Sequence, residues 1–421
     1  MPRLLMASPE GRLDAHSSLP PLGRTGWEIA PGDHLIPAPA GTTLVHLPGR
    51  FAIGGRPGSP VSLRAEGRLA VAAVLPPGYL RTLLPVYDQD ADAPVLPLYG
   101  YAAVGVVDGE ARVAAIQTDA WDAWDPQAPE RQTLPRRLGA ARRALPGNRL
   151  VPHLTICATE YRCLTAQNLF LQRGEGAIPV SPACNAACLG CISEQWGDVA
   201  SPQTRMGFAP SATEIAELAA WHLQAGPENF VSFGQGCEGE PLTRGAVLVE
   251  ATRRIRAAAP DATIHINTNA SRPEVLHRLI AAGLNSIRIS IFSLDEARFR
   301  AYYRPVGYGL AEVRECARLM RAAGGQVTIN LLTFPGITDA PAEVSALVDF
   351  IGAFEVDQVQ LRTLNVDPIW LLDRMAEKTR GIGMRRFVEE LRRRCPRLQL
   401  GNFTRPWPVR SPLSASPSRP D

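Results

Sequence analysis

Residues 286–291 read Ser-Ile-Arg-Ile-Ser-Ile, and this alternation decides the fold. Successive side chains of a strand point to opposite faces. Ile287, Ile289 and Ile291 therefore share one face, and Ser286, Arg288 and Ser290 share the other. The pattern recurs on both sides. Val327, Ile329 and Leu331 oppose Gln326, Thr328 and Asn330, while Val359 and Leu361 oppose Gln358, Gln360 and Arg362. Upstream, Ile264 and Ile266 oppose His265, Asn267 and Asn269. A strand of a parallel sheet buried on both sides is apolar on both, and a packed barrel interior is filled by branched apolar residues. Here the apolar faces are expected to meet helices, and the polar faces to line a wet cavity that holds a ligand.

Six strands are expected, at Ile178–Ala183, Phe230–Phe233, Thr263–Asn267, Ser286–Ile291, Gln326–Leu331 and Gln358–Leu364. Helical stretches fall between them, among them Ala212–Gln224, Ala246–Ala258, Pro273–Ala282 and Pro341–Phe354. Strand–helix alternation of this kind builds a parallel sheet. The fold class is α/β: a partial (βα)6 TIM-like barrel over residues 176–403 with a small β-rich N-terminal domain over residues 26–118. Short β-like runs broken by Pro and Gly, such as Thr42–Leu47, Leu69–Leu75 and Ala102–Val107, define that domain. Residues 1–25 form an N-terminal segment and residues 119–175 read as a linker, with one helix expected in its Trp-, Pro- and Arg-rich part 119–150. The Pro- and Ser-rich tail 404–421 is expected to be disordered.

The formal charge of +3 over 421 residues points neither to nucleic acid nor to an anionic membrane. Of 44 basic residues only Lys378 is lysine, and no P-loop or Schiff-base context surrounds it. The first 25 residues lack the apolar core of a signal peptide, and no run approaches the ~18–20 apolar residues of a membrane span. Eight cysteines without an export signal are expected in a reducing compartment, the cytoplasm, where clustered thiols favour metal over disulfide.

The chemistry concentrates at Cys184, Cys188 and Cys191, a C-x3-C-x2-C spacing on the loop after the first expected strand. Three thiolates this close can hold three irons of a four-iron cluster and leave the fourth free to bind a small molecule. The loop ends at the C-terminal rim, where barrel active sites sit. The second strand runs into Gly234-Gln-Gly-Cys-Glu-Gly-Glu-Pro241, in which glycines permit close backbone approach and Glu240 can receive an ammonium. The third ends in Asn267-Thr268-Asn269, suited to a hydroxylated ligand, and the fifth in the Phe334-Pro335-Gly336 turn.

On these residues, region 176–370 resembles the radical S-adenosylmethionine (radical SAM) enzymes. Cys184, Cys188 and Cys191 carry the likeness, with Gly239-Glu240-Pro241, Asn267-Thr268-Asn269, Arg288-Ile289-Ser290 and Phe334-Pro335-Gly336 in support. The resemblance implies that the three cysteines ligate a [4Fe–4S] cluster whose open iron chelates S-adenosylmethionine. Gly239, Glu240 and Pro241 would then hold the methionine ammonium, with Asn267, Asn269 and Ser290 near ribose and carboxylate. It further implies reductive cleavage to methionine and a 5′-deoxyadenosyl radical that abstracts hydrogen from a substrate. A reductant such as flavodoxin or ferredoxin and a small-molecule substrate would be the partners. The chain departs from the family at Gly190, where an aromatic residue is usual, and at Glu238, where the family has glycine.

Two other classes stand beside this one. The first is an iron–sulfur electron carrier or redox sensor that never cleaves S-adenosylmethionine. The second is a zinc-stabilised interaction module, although zinc sites more often pair two C-x2-C units. His265 reads as a hydrogen-bonded strand residue or a catalytic one, and Arg288 and Arg362 as anion binders or partners of interior acids. Cys157, Cys163 and Cys395 are too few and too scattered to announce a second cluster, although with Cys237 or Cys316 the count reaches four. Cys237 reads as a small buried hydrophobe or a hydrogen donor beside the cofactor loop. Asp88, Asp90 and Asp92 mimic a calcium loop, but Pro94 and Tyr99 stand where Gly and Glu are needed. Trp121 and Trp124 read as linker anchors or as a binding surface. The substrate-reacting residue is not legible.

Overall fold

The computed structural model describes residues 1–120, 124–195, 199, 201–226, 228–375 and 378–407. Trp121 and the tail from residue 408 lie outside the described residues.

The C-terminal part is built on an open sheet of seven strands in sequence order, each parallel to its neighbour. The strands are Glu175–Ala177, Phe230–Phe233, Ile264–Thr268, Ser286–Ile291, Gln326–Thr333, Gln358–Thr363 and Gln399–Gly401. Register places Asn267 beside Arg288 and Ser290 beside Asn330, so the polar residues of adjacent strands form continuous rows. Ile264, Ile266, Ile287, Ile289, Val327, Ile329, Val359 and Leu361 are all buried in one core with the covering helices.

The count and the first strand differ from the sequence reading. The first strand lies at Glu175–Ala177, not at 178–183. Pro179 and Pro182 have no N–H to give a ladder, so pairing stops after Ile178 donates to Ser232 O at 2.9 Å. The seventh strand, only three residues long, follows Pro396, and its brevity hides the alternation.

The N-terminal part is a ten-stranded antiparallel sheet that begins at Arg3–Ala7. That strand pairs with Leu69–Val74, Val104–Val107 and Leu13–Ala15, so most of the N-terminal segment joins this sheet, while Leu22–Thr25 pairs with Glu28–Pro31 and Leu84–Pro85 in a separate three-stranded sheet. The Trp-, Pro- and Arg-rich stretch before residue 150 carries one α-helix among its described residues, α1 (Leu134–Ala144), and the rest of the expected linker adds α2 (Leu150–Thr159) and α3 (Leu164–Leu171). Leu150, Leu154, Leu169 and Phe170 are fully buried in the barrel's own core. The N-terminal sheet docks over the rim. Gly26 N–H donates to Pro335 O at 2.8 Å, and the buried Arg50 meets Asp367 at 2.6 Å. The Phe334-Pro335-Gly336 turn is thus a docking point, and a Cβ on Gly336 would lie 2.1 Å from Gly26 N.

Outer helices start where local chemistry dictates. α4 (Ala212–Leu223) opens on a capping box between Ser211 and Glu214. Further along, α5 (Gly245–Ala258), α6 (Pro273–Ala281), α7 (Glu296–Tyr303), α8 (Leu310–Ala322) and α9 (Pro341–Phe354) follow, with proline in the first turn of α6 and α9. Then come α10 (Pro368–Leu372), capped by Asp367, and α11 (Met384–Arg394). Among the described residues no helix is long and apolar enough to cross a membrane.

Candidate active site

Strand ends and loops enclose a cavity of about 660 Å³ at the C-terminal rim, within the roughly 300–1,000 Å³ of small-molecule sites. Cys184, Cys188 and Cys191 line one wall, Gly239, Glu240 and Pro241 the next, and Asn267, Asn269 and Ser290 the floor. The structure brings together every site residue read from the sequence. The N-terminal domain forms a lid over this cavity: Val74–Pro77, Tyr79 and Gly100 also line it.

The cysteine loop hangs on the end of α7. Ala187 and Leu189 N–H donate to Tyr303 O and Tyr302 O, each at 3.0 Å, and Leu189 is fully buried. Burial pushes the Cys184 thiol up to about 11 and the Cys188 thiol well above its ordinary value, with neighbouring cysteine charge adding to the latter. Three thiolates here would repel one another, so holding them ionised would take a strongly cationic group. Arg205 reaches Cys191 Sγ at 3.7 Å and Glu194 at 2.8 Å.

The glutamate loop is welded to the cysteine loop. Gly239 N–H donates to Ser181 O at 2.7 Å and Glu240 N–H to Ala183 O at 2.8 Å. A Cβ on Gly239 would sit 2.1 Å from Ala183 O, so only glycine permits this approach. Gly234, at φ +78°, would drive a Cβ to 1.8 Å from Asn267 O. Glu238 explains its departure from glycine: its carboxylate accepts from Val180, Ser181 and Gln235 N–H at 2.7, 2.8 and 2.7 Å. It staples the segment entering the cysteine loop to the glutamate loop. Glu240 is buried and accepts from Asn269 N–H at 2.8 Å, Leu242 N–H at 3.0 Å and the Thr268 hydroxyl. Burial still raises its carboxyl to about 7.

Gly190 also finds its reason. A Cβ there would lie 2.9 Å from both Leu364 Cδ1 and the Tyr302 hydroxyl, so the room an aromatic side chain needs is filled. Tyr302 and Tyr303 themselves line the cavity, and α7 carries no sequence signal for this.

Deeper in the barrel the polar faces satisfy one another. His265 is fully buried, with Nε2 3.0 Å from Asn267 Oδ1 and Nδ1 2.6 Å from the Ser286 hydroxyl. Burial, with Arg288 nearby, holds its pKa well below the ordinary value, so it is a neutral structural residue that positions Asn267. Arg288 donates to Gln360 Oε1 at 2.6 Å and to Thr404 Oγ1 at 2.7 Å. The first residue of the tail is therefore fixed inside the barrel. Asn330 Oδ1 and Arg288 Nε, on cavity-lining residues, have no hydrogen-bond partner among the described residues. Asp88 and Asp90 are both bound by Arg64, and Trp124 stacks on Phe403 with ring centroids 4.9 Å apart. Cys316 is buried and donates to Ala270 O at 3.3 Å.

Residues 178–348 match the model of the radical SAM superfamily. The FeMo cofactor biosynthesis protein NifB of Klebsiella pneumoniae is 29% identical over 198 residues, covering 42% of this chain and 41% of the relative. The GTP 3′,8-cyclase of Marinobacter nauticus is 29% identical over 187 residues, covering 43% of this chain and 51% of the relative. The chain thus spans about half the length or less of these relatives. Among solved structures, the FeFe-hydrogenase maturase HydG of Carboxydothermus hydrogenoformans aligns at 13% identity and a TM-score of 0.40, covering 64% of this chain and 70% of that one.

Proposed function

We propose that this chain, whose residues 178–348 belong to the radical SAM superfamily, is an enzyme that generates a 5′-deoxyadenosyl radical and takes hydrogen from a small anionic substrate. Enzymes of this superfamily bind a [4Fe–4S] cluster and S-adenosylmethionine. One observation carries the reading: the three-cysteine loop and the Gly239–Glu240 segment are hydrogen-bonded edge to edge on one cavity.

The residues fit both groups. Three cysteines on one wall offer one ligand to each of three irons, and the cavity has room for a nucleoside beside them. When bound and reduced, the cluster supplies the electron that splits the sulfonium C–S bond of S-adenosylmethionine. The protein's part is placement. Glu240 presents its carboxylate to the ligand ammonium. Asn267, Asn269 and Ser290 offer hydrogen bonds to ribose and carboxylate, while the N-terminal lid excludes water. A reductant such as flavodoxin or ferredoxin would deliver the electron.

Arg288 and Arg362 support an anionic substrate. Both are cavity-lining, and neither has a carboxylate within 4 Å among the described residues; Gln360 and Thr404, neutral groups, are the partners they hold. Burial, reinforced by Arg288, lowers Arg362 only to about 10, so it stays charged at neutral pH. The buried Glu175, and Asp119 beside Arg362, offset part of this charge from beyond ion-pair distance, and the remainder is available to a ligand carboxylate or phosphate.

The anaerobically reconstituted protein, given S-adenosylmethionine and dithionite, should form 5′-deoxyadenosine and methionine in equal amounts. A protein with four irons per chain that binds S-adenosylmethionine but yields neither product with any substrate class would favour an electron carrier or sensor. In a ligand screen by thermal shift with S-adenosylmethionine present, hits should be carboxylates or phosphates. Arg362→Gln should weaken them roughly 10–100-fold, as expected for a charge-assisted hydrogen bond, without weakening S-adenosylmethionine; neutral hits of equal strength would refute the anionic assignment.

Glu240 predicts a pH profile. Its raised value near 7 means it is neutral at pH 5 and ionised above 7. Affinity for S-adenosylmethionine should therefore rise through pH 7 and level off near pH ~8, where the ligand's own α-amino group loses its proton. Calorimetric titration of wild type and Glu240→Gln checks this: the variant should bind more weakly and show no rise through 7.

A further inference from the structure

Behind the cavity wall, outside the cysteine loop, lies a second set of soft donors. His153 and Cys157 sit one turn apart on the same face of α2, with Cys157 Sγ 3.8 Å from His153 Nε2. Cys237 arrives from the glutamate loop, 80 residues later in the chain. Among the described residues, these three are the group whose ligand atoms all lie within 4.8 Å of one another. Cys184, Cys188 and Cys191 are not drawn that tight, as suits ligands of separate irons. Cys157 and Cys237 are buried and His153 is half-buried.

We infer that His153, Cys157 and Cys237 bind a single divalent ion of the zinc class, distinct from the iron–sulfur site. The donor set is two thiolates and an imidazole, which select zinc over hard cations. Tetrahedral Zn–S and Zn–N bonds of ~2.3 and ~2.0 Å put neighbouring donors roughly 3.6 Å apart, close to the 3.8 Å found here. Without an ion, two thiols and an imidazole would be packed together with few other partners. Cys163 donates its N–H to Cys157 O at 2.9 Å, but its sulfur turns to Thr165 at 3.1 Å and lies outside the trio.

The site has a mechanical consequence. Cys237 precedes Glu238, the staple to Val180 and Ser181, and lies three residues before Glu240. An ion here clamps the ammonium-binding loop to α2. This consequence rests on the proposed function; the ion itself does not.

Metal analysis of the tag-free full chain, purified and reconstituted anaerobically, tests the inference. Iron reports the cluster and zinc reports the trio, so the two readings fail separately. One zinc per chain is expected. It should vanish in Cys157→Ser and Cys237→Ser while iron stays at the wild-type level. Replacing zinc with cobalt(II) should give the visible bands of a tetrahedral thiolate site, lost in the same variants. If a serine variant fails to fold, the Cys157→Ala/Cys237→Ala pair, which keeps the pocket apolar, replaces it. Wild-type protein with fully reduced thiols that binds neither zinc nor cobalt overturns the inference. So does a Cys157–Cys237 disulfide in the active protein, or iron that depends on Cys157.

Discussion

Cys188→Ala yields a folded protein that makes no 5′-deoxyadenosine. Cys188 is the middle one of the three proposed ligands, and its loop is held by backbone bonds from Ala187 and Leu189 to Tyr303 and Tyr302 that the substitution leaves in place. The neighbouring Leu189, fully buried, keeps the loop anchored. Loss of a partner that merely supports a metal ligand costs roughly 10–100-fold, so loss of a ligand itself should exceed that and remove activity. The measurement combines anaerobic product quantification, iron content, visible absorbance and far-ultraviolet circular dichroism. A variant with wild-type dichroism, little iron and no product is the expected result. Product formation at even a tenth of the wild-type rate would remove Cys188 from the ligand set.

Asp367→Ala lowers stability by about 3–5 kcal/mol, the usual cost of leaving one member of a buried ion pair alone. Asp367 Oδ2 meets the Arg50 guanidinium at 2.6 Å, where both side chains are almost fully buried, and accepts Leu96 N–H at 3.0 Å. Its other oxygen accepts from Ile369 and Trp370 N–H at 3.0 and 3.3 Å and so caps α10. Arg50 also donates to Pro48 O and Pro94 O, so its head is fixed and cannot swing to water without breaking both bonds. Asp367→Ala therefore strands a charge and uncaps a helix at the seam between the N-terminal sheet and the barrel. Arg50→Met/Asp367→Leu should cost less than Asp367→Ala, because no charge is left unpaired. Denaturant melts followed by two probes check both. Equal loss in the single and double variants would mean that the pair's charges are not the cause.

Much of the site was legible in the chain. Alternation at Ser286–Ile291, Gln326–Leu331 and Gln358–Leu364 marked the strands and the side that faces the cavity, because a strand's faces follow a period of two. The spacing of Cys184, Cys188 and Cys191 put three thiols on one cavity wall, because residues of one short loop need no tertiary structure to be close. Helices α2 and α3 were read as linker for the opposite reason. Their sequences, Leu150–Thr159 and Leu164–Leu171, are apolar with little amphipathic stripe, since neighbours bury them on several sides.

The sequence by itself determined the parallel half-barrel, the polar interior and the two loops that carry Cys184–Cys191 and Gly239–Pro241, all from patterns that span a few residues. Tertiary structure alone decided the rest. It brought Val74–Tyr79 over the cavity mouth, turned Glu238 into a backbone staple, set Arg50 against Asp367, and joined His153 and Cys157 to Cys237. Each of these is a meeting of groups that only long-range packing can place side by side, and local periodicity carries no record of the partner.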